Sequence, residues 1–227
     1  MKKSLLLATV ALVMALGAGC GAKINTTITP PSEHAVANSR TFNVSYDKVW
    51  KATVTSIGES FFVLENIEKD SGILSLSFSV KNPNDYIDCG SISESGNLYG
   101  GKKYDNFFLG AETPVNRYIA FNGQSAPSYR EILLSGKSNI IVEKKGNNST
   151  TVKVNTRYIV DLTNNITYYI PINAFQGVSK TEAIKNQMAF TSHETGSFPS
   201  ASNENSMQCR SRFTLEQQIL DAIEKKL

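Results

Sequence analysis

The chain contains few histidines and cysteines, two of the residue types that most often carry acid–base, nucleophilic or metal chemistry. Its 227 residues include two histidines and three cysteines. His193 stands beside Glu194 in a polar stretch, and this pair could transfer a proton or bind a metal, although a solvated loop is the simpler explanation. His34 lies in a polar segment, and a flexible segment cannot hold a base in place. We therefore predict a protein that is not an enzyme, with no catalytic residue, no metal site and no cofactor.

The cysteine with the clearest role is Cys20. Lys2 and Lys3 precede an uninterrupted run of apolar and small residues over 5–16, and small residues then lead into Cys20. The run is shorter than the ~20 residues that span a bilayer, and this order of segments is typical of a secretory signal. The segment resembles a bacterial lipoprotein signal, in which the cysteine is lipidated. An ordinary secretory signal, with Cys20 a bystander, is the alternative.

The lipoprotein resemblance implies where the protein is anchored. Residues 1–19 would be removed, and Cys20 would carry two or three acyl chains such as palmitate. Several chains anchor a protein stably, because each buried CH₂ contributes about 0.8 kcal/mol. In lipoproteins of this kind, Asp after the cysteine retains the protein at the inner membrane, so Gly21 favours the outer membrane. We expect a lipid anchor on the periplasmic face of the outer membrane.

Lipidation of Cys20 leaves Cys89 and Cys209, which are 120 positions apart. An oxidising compartment allows two such cysteines to pair. The chain-entropy account assigns about 4.7 kcal/mol to closing so long a loop. Two unpaired thiols are the alternative, because the sequence does not show whether the two Cα atoms approach each other.

Charge and length limit the possible partners. Removal of the signal takes away Lys2 and Lys3, so 23 basic residues become 21, against 20 acidic ones. A nucleic-acid partner would need Lys and Arg clustered on one face, so we expect none. The partners that we expect are the membrane, through the lipid, and a protein of the envelope. The length after the signal fits one domain.

The pattern of hydrophobic residues predicts one folded domain over 40–227. Residues 20–39 are polar and contain Pro30 and Pro31, which predicts an extended, lipidated tether. Apolar residues at helical spacing predict a helix over 46–57 and another in the last 14 residues of the chain. Hairpins are predicted over 60–80 and 139–160, with further strands at 166–170 and 187–192. The result is an α+β fold with a single antiparallel sheet and two helices packed on one face.

Residues 90–130 interrupt this plan. Gly, Asn, Tyr and Ser dominate the segment, and we expect a loop-rich insertion with weak internal order. Aromatic residues in polar loops are common at contact surfaces. The candidates for partner contact are Tyr99, Tyr104, Phe107 and Phe108. The alternative is that these rings complete a local core.

Two stretches resemble a known kind of domain. A Trp-bearing helix, a strand, a polar turn ending in Gly and an alternating strand follow one another in SYDKVWKATVTSIGESFFVLENIEKDSGILSLSFS. A cysteine stands just before a capped helix in CRSRFTLEQQILDAI. Both are similar to small helix-grip lipoprotein domains of Gram-negative envelopes, the kind found in the C subunit of the outer-membrane barrel assembly machinery. The resemblance covers 40–80 and 139–227 and implies a helix-grip-like fold without catalytic residues.

These observations lead to two hypotheses for function. The first is a non-enzymatic envelope lipoprotein that binds another protein as an accessory or scaffold subunit. The alternative is a binder of a small apolar ligand in a cavity between sheet and helix, which needs an open pocket of roughly 300 Å³ or more. Large side chains at Trp50, Phe61, Phe62, Phe78 and Tyr158 favour a filled core and hence the first hypothesis.

Overall fold

The chain folds mostly as β-structure. The computed structural model describes residues 23–33, 36–173, 176–198 and 207–227. Among these described residues, 60% are strand, arranged in three antiparallel sheets, and two short α-helices accompany them. The prediction of an α+β fold with a single sheet was therefore wrong.

The elements, in chain order, are as follows. The strands are β1 (Lys23–Thr29), β2 (Ser39–Phe42), β3 (Val63–Glu68), β4 (Ile73–Val80), β5 (Ile87–Asp88), β6 (Ser91–Asn97), β7 (Lys103–Leu109), β8 (Val115–Phe121), β9 (Gln124–Gly146), β10 (Ser149–Pro171), β11 (Gly177–Thr191), β12 (Gly196–Ser197) and β13 (Gln208–Ser211). The helices are α1 (Tyr46–Gly58) and α2 (Thr214–Glu224).

The main sheet has seven strands and is built on one long hairpin. β9 and β10 each contain 23 residues and pair from Gly146 opposite Ser149 to Ser128 opposite Ile166. β11 extends the sheet beyond β10, and β4 followed by β3 extends it beyond β9, while β2 pairs with β10 and β8 with β9. Buried and more exposed residues alternate along β10, so one face of the sheet, the inner face, is covered.

The two helices cover one part of the inner face. α1 confirms the helix predicted over 46–57, and its stripe of Val49, Trp50 and Ile57 is buried. α2 buries Leu215, Ile219, Leu220 and Ile223. Both helices share one hydrophobic core with inner-face residues of β4, β9 and β10. The sequence thus located both helices, but they cover only part of the sheet.

A second, three-stranded sheet covers the remainder of the inner face. Its strand order is β1-β6-β7, and Ile92 of β6 and Phe108 of β7 belong to the same core as the helices. β6, β7, β8 and the start of β9 all lie within 90–130. The predicted loop-rich insertion is therefore wrong, because this segment consists largely of paired strands.

The segment predicted as a tether also differs from that expectation over its described residues. Residues 23–29 form β1 and pair with β6. Farther along, Glu33 bonds to Arg210 at 3.0 Å, and Asn38 donates its side-chain amide to the carbonyl of Val154 at 2.8 Å. The described residues between Lys23 and Ser39 are thus held against the body. Cys20 and His34 lie outside the described residues.

A small third sheet joins β5, β13 and β12 and carries the disulfide. Cys89 follows β5, Cys209 lies in β13, and the two sulfurs are bonded. Both cysteines are almost completely buried. The bridge connects the strand that leads into the second sheet with the strand that leads into α2.

Candidate docking surfaces

The four aromatic residues predicted to contact a partner have different environments. Phe107 is 65% exposed, whereas Phe108 is 2% exposed and packs in the core. The hydroxyl of Tyr104 donates a hydrogen bond to Glu94 at 2.9 Å and accepts one from the backbone N–H of Tyr118 at 3.0 Å. The side chain of Tyr99 lies outside the described residues. Only Phe107 is thus shown as available for contact, and Tyr104 and Phe108 hold the two sheets together.

Buried charges lie between the second sheet and the main sheet. A terminal guanidinium nitrogen of Arg117 is 2.6 Å from a carboxylate oxygen of Glu94, and both side chains are almost fully buried. Arg130, also buried, donates to the backbone carbonyls of Gly110 at 2.6 Å and Glu112 at 3.0 Å. These groups lie between packed sheets, so this cluster holds the fold together. A surface cavity of about 420 Å³ adjoins it beside Tyr104 and Arg117.

Aromatic contacts complete this charged cluster. The guanidinium carbons of Arg117 and Arg130 lie 5.5 and 5.4 Å from the ring centroid of Phe108, a geometry that gives cation–π attraction. Burial raises the pKa of the Tyr104 hydroxyl, and Glu94 beside it acts in the same direction. Tyr104 therefore stays neutral and can donate its hydrogen bond to the carboxylate at physiological pH.

Sequence reasoning missed these charged residues, although a signal exists. Glu94 occupies the same alternation phase as Ile92, and Arg117 lies between Val115 and Ile119 in the same phase. Charged residues of opposite sign that occupy apolar positions of two neighbouring strands would have indicated a buried ion pair between those strands.

A second buried polar cluster attaches α2 to the main sheet. Both carboxylate oxygens of Glu216 accept hydrogen bonds from the hydroxyl of Tyr158, at 3.1 and 3.2 Å, and the hydroxyl of Ser192 also bonds to Glu216. Burial, and then the nearby charge of Glu216, raise the pKa of Tyr158. Tyr158 therefore remains a hydrogen-bond donor, and the cluster satisfies a buried carboxylate with hydroxyl groups.

His193 and Glu194 do not act as a pair in the structure. The Glu194 carboxylate accepts hydrogen bonds from the backbone and hydroxyl of Thr191, at 3.1 and 2.9 Å, and these bonds lower the pKa of Glu194. The ring of His193 packs against Phe213 with its centroid 5.2 Å away. No group of three or more possible metal ligands occurs among the described residues.

The space between helices and sheet is filled by large side chains. Trp50, Phe78 and Tyr158 are each less than a tenth exposed, and Phe62 packs partly buried against the core. Phe61 is 53% exposed, so its predicted place in the core was wrong. A cavity of about 610 Å³ lies instead at the surface, beside His193, Glu194 and Arg210. Its lining is mainly polar and charged, which differs from the apolar pocket that a small apolar ligand would need.

The outer edge of the main sheet is formed by β3, and this strand is unusually apolar for an edge. β3 pairs with β4 on one side and ends the strand order on the other. All six of its residues are exposed. Large apolar side chains exposed on β3 or just before it belong to Phe61, Val63, Leu64 and Ile67. An apolar edge with free backbone hydrogen-bonding groups is a ready template for another strand, and we call residues 61–68 the β3 edge.

Three hairpin turns lie at one end of the molecule, which we call the distal end. The β6–β7 and β8–β9 hairpins run side by side in the same direction. Glu94 of the first pairs with Arg117 of the second, and nearer to both turns the hydroxyl of Tyr104 accepts a hydrogen bond from the backbone of Tyr118. The distal end comprises Lys23 and the described residues of 97–103, 121–124 and 167–181.

Two contacts place β10 and β1 at this end as well. The side-chain amide of Gln124, just after the β8–β9 turn, donates to the backbone carbonyl of Tyr169 at 2.8 Å. Lys23, the first residue of β1, pairs with Asn97, the last residue of β6. The turn between β10 and β11 and the beginning of β1 therefore lie at the distal end.

Comparison with known proteins adds no homologue from which function could be inferred. No family model, curated protein or solved structure matches the chain. Within the described part of the chain, the helices are too short or too polar to cross a bilayer.

Proposed function

We propose that this protein is a lipoprotein of the bacterial envelope that binds another protein and has no enzymatic activity. Cys20 carries the lipid, and the body lies on the periplasmic face of the outer membrane as an accessory or scaffold subunit. The signal-like sequence before Cys20 supports the anchor. The disulfide between Cys89 and Cys209 supports an oxidising compartment outside the cytoplasm.

The β3 edge is the observation on which the binding proposal rests. Natural proteins usually protect an exposed strand with charges, proline or a covering segment. Here Glu65 is already held by Lys137 at 2.7 Å, and Glu68 accepts a hydrogen bond from Asn66 at 3.0 Å. The charges of the edge are thus engaged within the protein, and its apolar side chains are left exposed.

The partner that fits this edge is an extended segment of another envelope protein. Such a segment would add a strand beside β3, with main-chain hydrogen bonds giving affinity and apolar side chains giving specificity. Val63 and Leu64 point to opposite faces of the strand, as neighbouring residues do. The added segment can therefore contact apolar side chains on both faces of the sheet.

Two measurements test the proposal. The mass of the N-terminal peptide of the mature protein should show an acylated Cys20. A photo-crosslinking residue at Ile67 should capture one defined envelope protein in intact cells, whereas the same residue at Lys51, on the exposed side of α1, should not. Crosslinked peptides should map the contact in the partner to a single extended segment.

Charged variants provide the matched control. Val63→Lys and Ile67→Lys should abolish the crosslink from a neighbouring position while leaving the melting temperature nearly unchanged, since both side chains are already exposed. An unacylated Cys20, a crosslink only to a second copy of this chain, or equal capture from Lys51 would each contradict the proposal.

A further inference from the structure

We infer that the distal end is a membrane-contact surface, which lies in the interface of the bilayer that holds the anchor. This inference rests on the proposed lipid at Cys20 and assigns an orientation and a lipid-binding surface to the body. The occupant is the phospholipid headgroup layer and the upper part of the acyl chains. Three observations support it: the position of Lys23, the apolar residues of the β10–β11 turn, and the charge of the surrounding turns.

The position of Lys23 determines which end of the body is near the membrane. Cys20 and Lys23 are three residues apart, and three residues span at most about 11 Å. A lipid on Cys20 keeps that residue at the membrane surface. Lys23 is held in β1 opposite Asn97, so the distal end must lie within roughly this distance of the headgroups.

The β10–β11 turn presents apolar side chains that pack little against the body. Tyr169, Ile170, Ile172 and Val178 are all exposed. Ile172 is 66% exposed, although isoleucine is one of the residue types most often buried. An exposed group of Tyr and branched aliphatic side chains at a strand tip is suited to the bilayer interface, where Tyr sits at headgroup level.

The charge of the distal end has one sign. Its described residues include four lysines, Lys23, Lys102, Lys103 and Lys180, and neither Asp nor Glu. One carboxylate, that of Glu182, borders it and accepts a hydrogen bond from the hydroxyl of Tyr168 at 3.2 Å. Each lysine near an anionic lipid surface adds about 1 kcal/mol of attraction. The surface therefore combines apolar side chains for the acyl region with cations for phosphate headgroups, which is the combination found in interfacial segments.

The apolar turn is held in a fixed position by the neighbouring hairpin. Gln124 binds both the carbonyl and the N–H of Tyr169, at 2.8 and 3.3 Å. The ring of Tyr169 lies over Gly177, where any side chain would collide with it. Behind the turn, Ile119, Ala126 and Ile166 form a separate small core. The described residues on either side of the turn thus form a supported surface that can enter the interface without refolding.

Probes of membrane depth test this inference on the mature protein. An environment-sensitive fluorophore would be attached at Ile172→Cys, and at Leu133→Cys as the control, in vesicles of phosphatidylethanolamine and phosphatidylglycerol. The two positions have matched exposures of 66% and 65%. Leu133 is nine residues along β9 from the distal end, or about 30 Å, and the buried disulfide leaves Cys89 and Cys209 unlabelled.

The emission of the probe at Ile172 should shift to the blue. Quenchers on the acyl chains should quench this probe several-fold more strongly than the probe at Leu133. Replacement of Lys102, Lys103 and Lys180 by Gln should reduce this quenching severalfold at low salt. A probe at Ile172 that remains in water while the protein floats with the vesicles would overturn the inference.

The same experiment separates this inference from the proposed function. If the N-terminal peptide carries no acyl chain, the anchor proposal fails and Cys20 has a free thiol. The labelling is then repeated with Cys20→Ser, and the probe still reports whether the distal end enters added vesicles. Insertion without the lipid would support the membrane-contact surface by itself. Equal quenching at Ile172 and Leu133, with or without the lipid, would overturn it.

Discussion

Arg117 and Glu94 form a buried ion pair that joins the second sheet to the main sheet. A guanidinium nitrogen of Arg117, on β8, lies 2.6 Å from a carboxylate oxygen of Glu94, on β6, and the side chains are 3% and 0% exposed. The hydroxyl of Tyr104 binds the other carboxylate oxygen. The pair determines how the second sheet, and with it β1, is oriented on the main sheet.

Glu94→Gln should destabilise the protein strongly. The variant keeps the size of the side chain but leaves the buried charge of Arg117 without its carboxylate, and breaking a buried pair in this way costs about 3–5 kcal/mol. Urea denaturation gives the free energy of unfolding. Glu143→Gln is the matched control, because Glu143 lies at the same 2.6 Å from Lys145 but both side chains are more than half exposed, and exposed pairs contribute little. Equal effects of the two substitutions would contradict this assignment.

Loss of the disulfide should also destabilise the protein. The double variant Cys89→Ala/Cys209→Ala should unfold with a free energy lower by about 2–5 kcal/mol, because the bridge restricts a long loop of the unfolded chain. Urea denaturation of the wild type in reductant should give a curve close to that of the variant. Reductant should not change the variant itself; a wild-type curve that is insensitive to reductant would show that the bridge adds no stability.

The sequence predicted the parts of the fold where apolar residues face other apolar residues. Leu74, Leu76 and Phe78 alternate with serines and lie buried on the inner face. Trp50 in α1 is likewise buried, at the helical spacing that predicted it. Each of these elements packs against one surface, so its apolar residues recur at the regular spacing of a strand or a helix.

The second sheet escaped prediction because its contact with the main sheet is partly polar. Arg130 and Ser128 occupy inner-face positions of β9 and are buried, but they interrupt the apolar alternation by which a strand is recognised. The backbone carbonyls that bind Arg130 lie between β7 and β8, 18 and 20 residues earlier in the chain. Only the folded arrangement shows that the backbone carbonyls of Gly110 and Glu112 accept hydrogen bonds from Arg130, and that Glu94 pairs with Arg117.

Neither candidate surface, the distal end nor the β3 edge, was predicted, because exposed residues show no alternation between buried and exposed positions. Val178, like the other residues over 177–183 at the start of β11, is not buried on either face, so no period of two appears there. The β3 edge differs, because the hairpin over 60–80 was predicted and forms, but the pattern did not show that Val63 and Leu64 are both exposed. Free surfaces of this kind cannot be distinguished from loops by hydrophobic pattern alone.

Two glycines in open surroundings should respond to alanine in opposite ways. Gly123, in the β8–β9 turn, has a φ of +74°, and a side chain there would meet no atom within 4 Å. Gly123→Ala should therefore cost about 1–2 kcal/mol through backbone strain alone. Gly58 is the matched control, because it ends α1 with equally open space, and Gly58→Ala should stabilise by about 0.5–1 kcal/mol. Thermal melts of both variants measure the difference, and a shift of the same sign in both would contradict the turn geometry.

Tyr158 should make the stability of the protein fall at alkaline pH. Burial, and next the charge of Glu216, raise the pKa of Tyr158 in the folded state, whereas in the unfolded state it titrates near its ordinary value of about 10. A raised pKa stabilises the fold fully below the unfolded value and loses that contribution as the pH rises above it. The free energy of unfolding should therefore decline above about pH 10, with Tyr158 contributing up to about 1.4 kcal/mol per pH unit.

Tyr158→Phe should be less stable at neutral pH by about 1–3 kcal/mol, because Glu216 loses a donor, but should show a shallower alkaline decline. Urea denaturation across this pH range measures the loss at neutral pH and the alkaline decline. Parallel curves of stability against pH for the wild type and Tyr158→Phe would show that Tyr158 ionises alike in the folded and unfolded states.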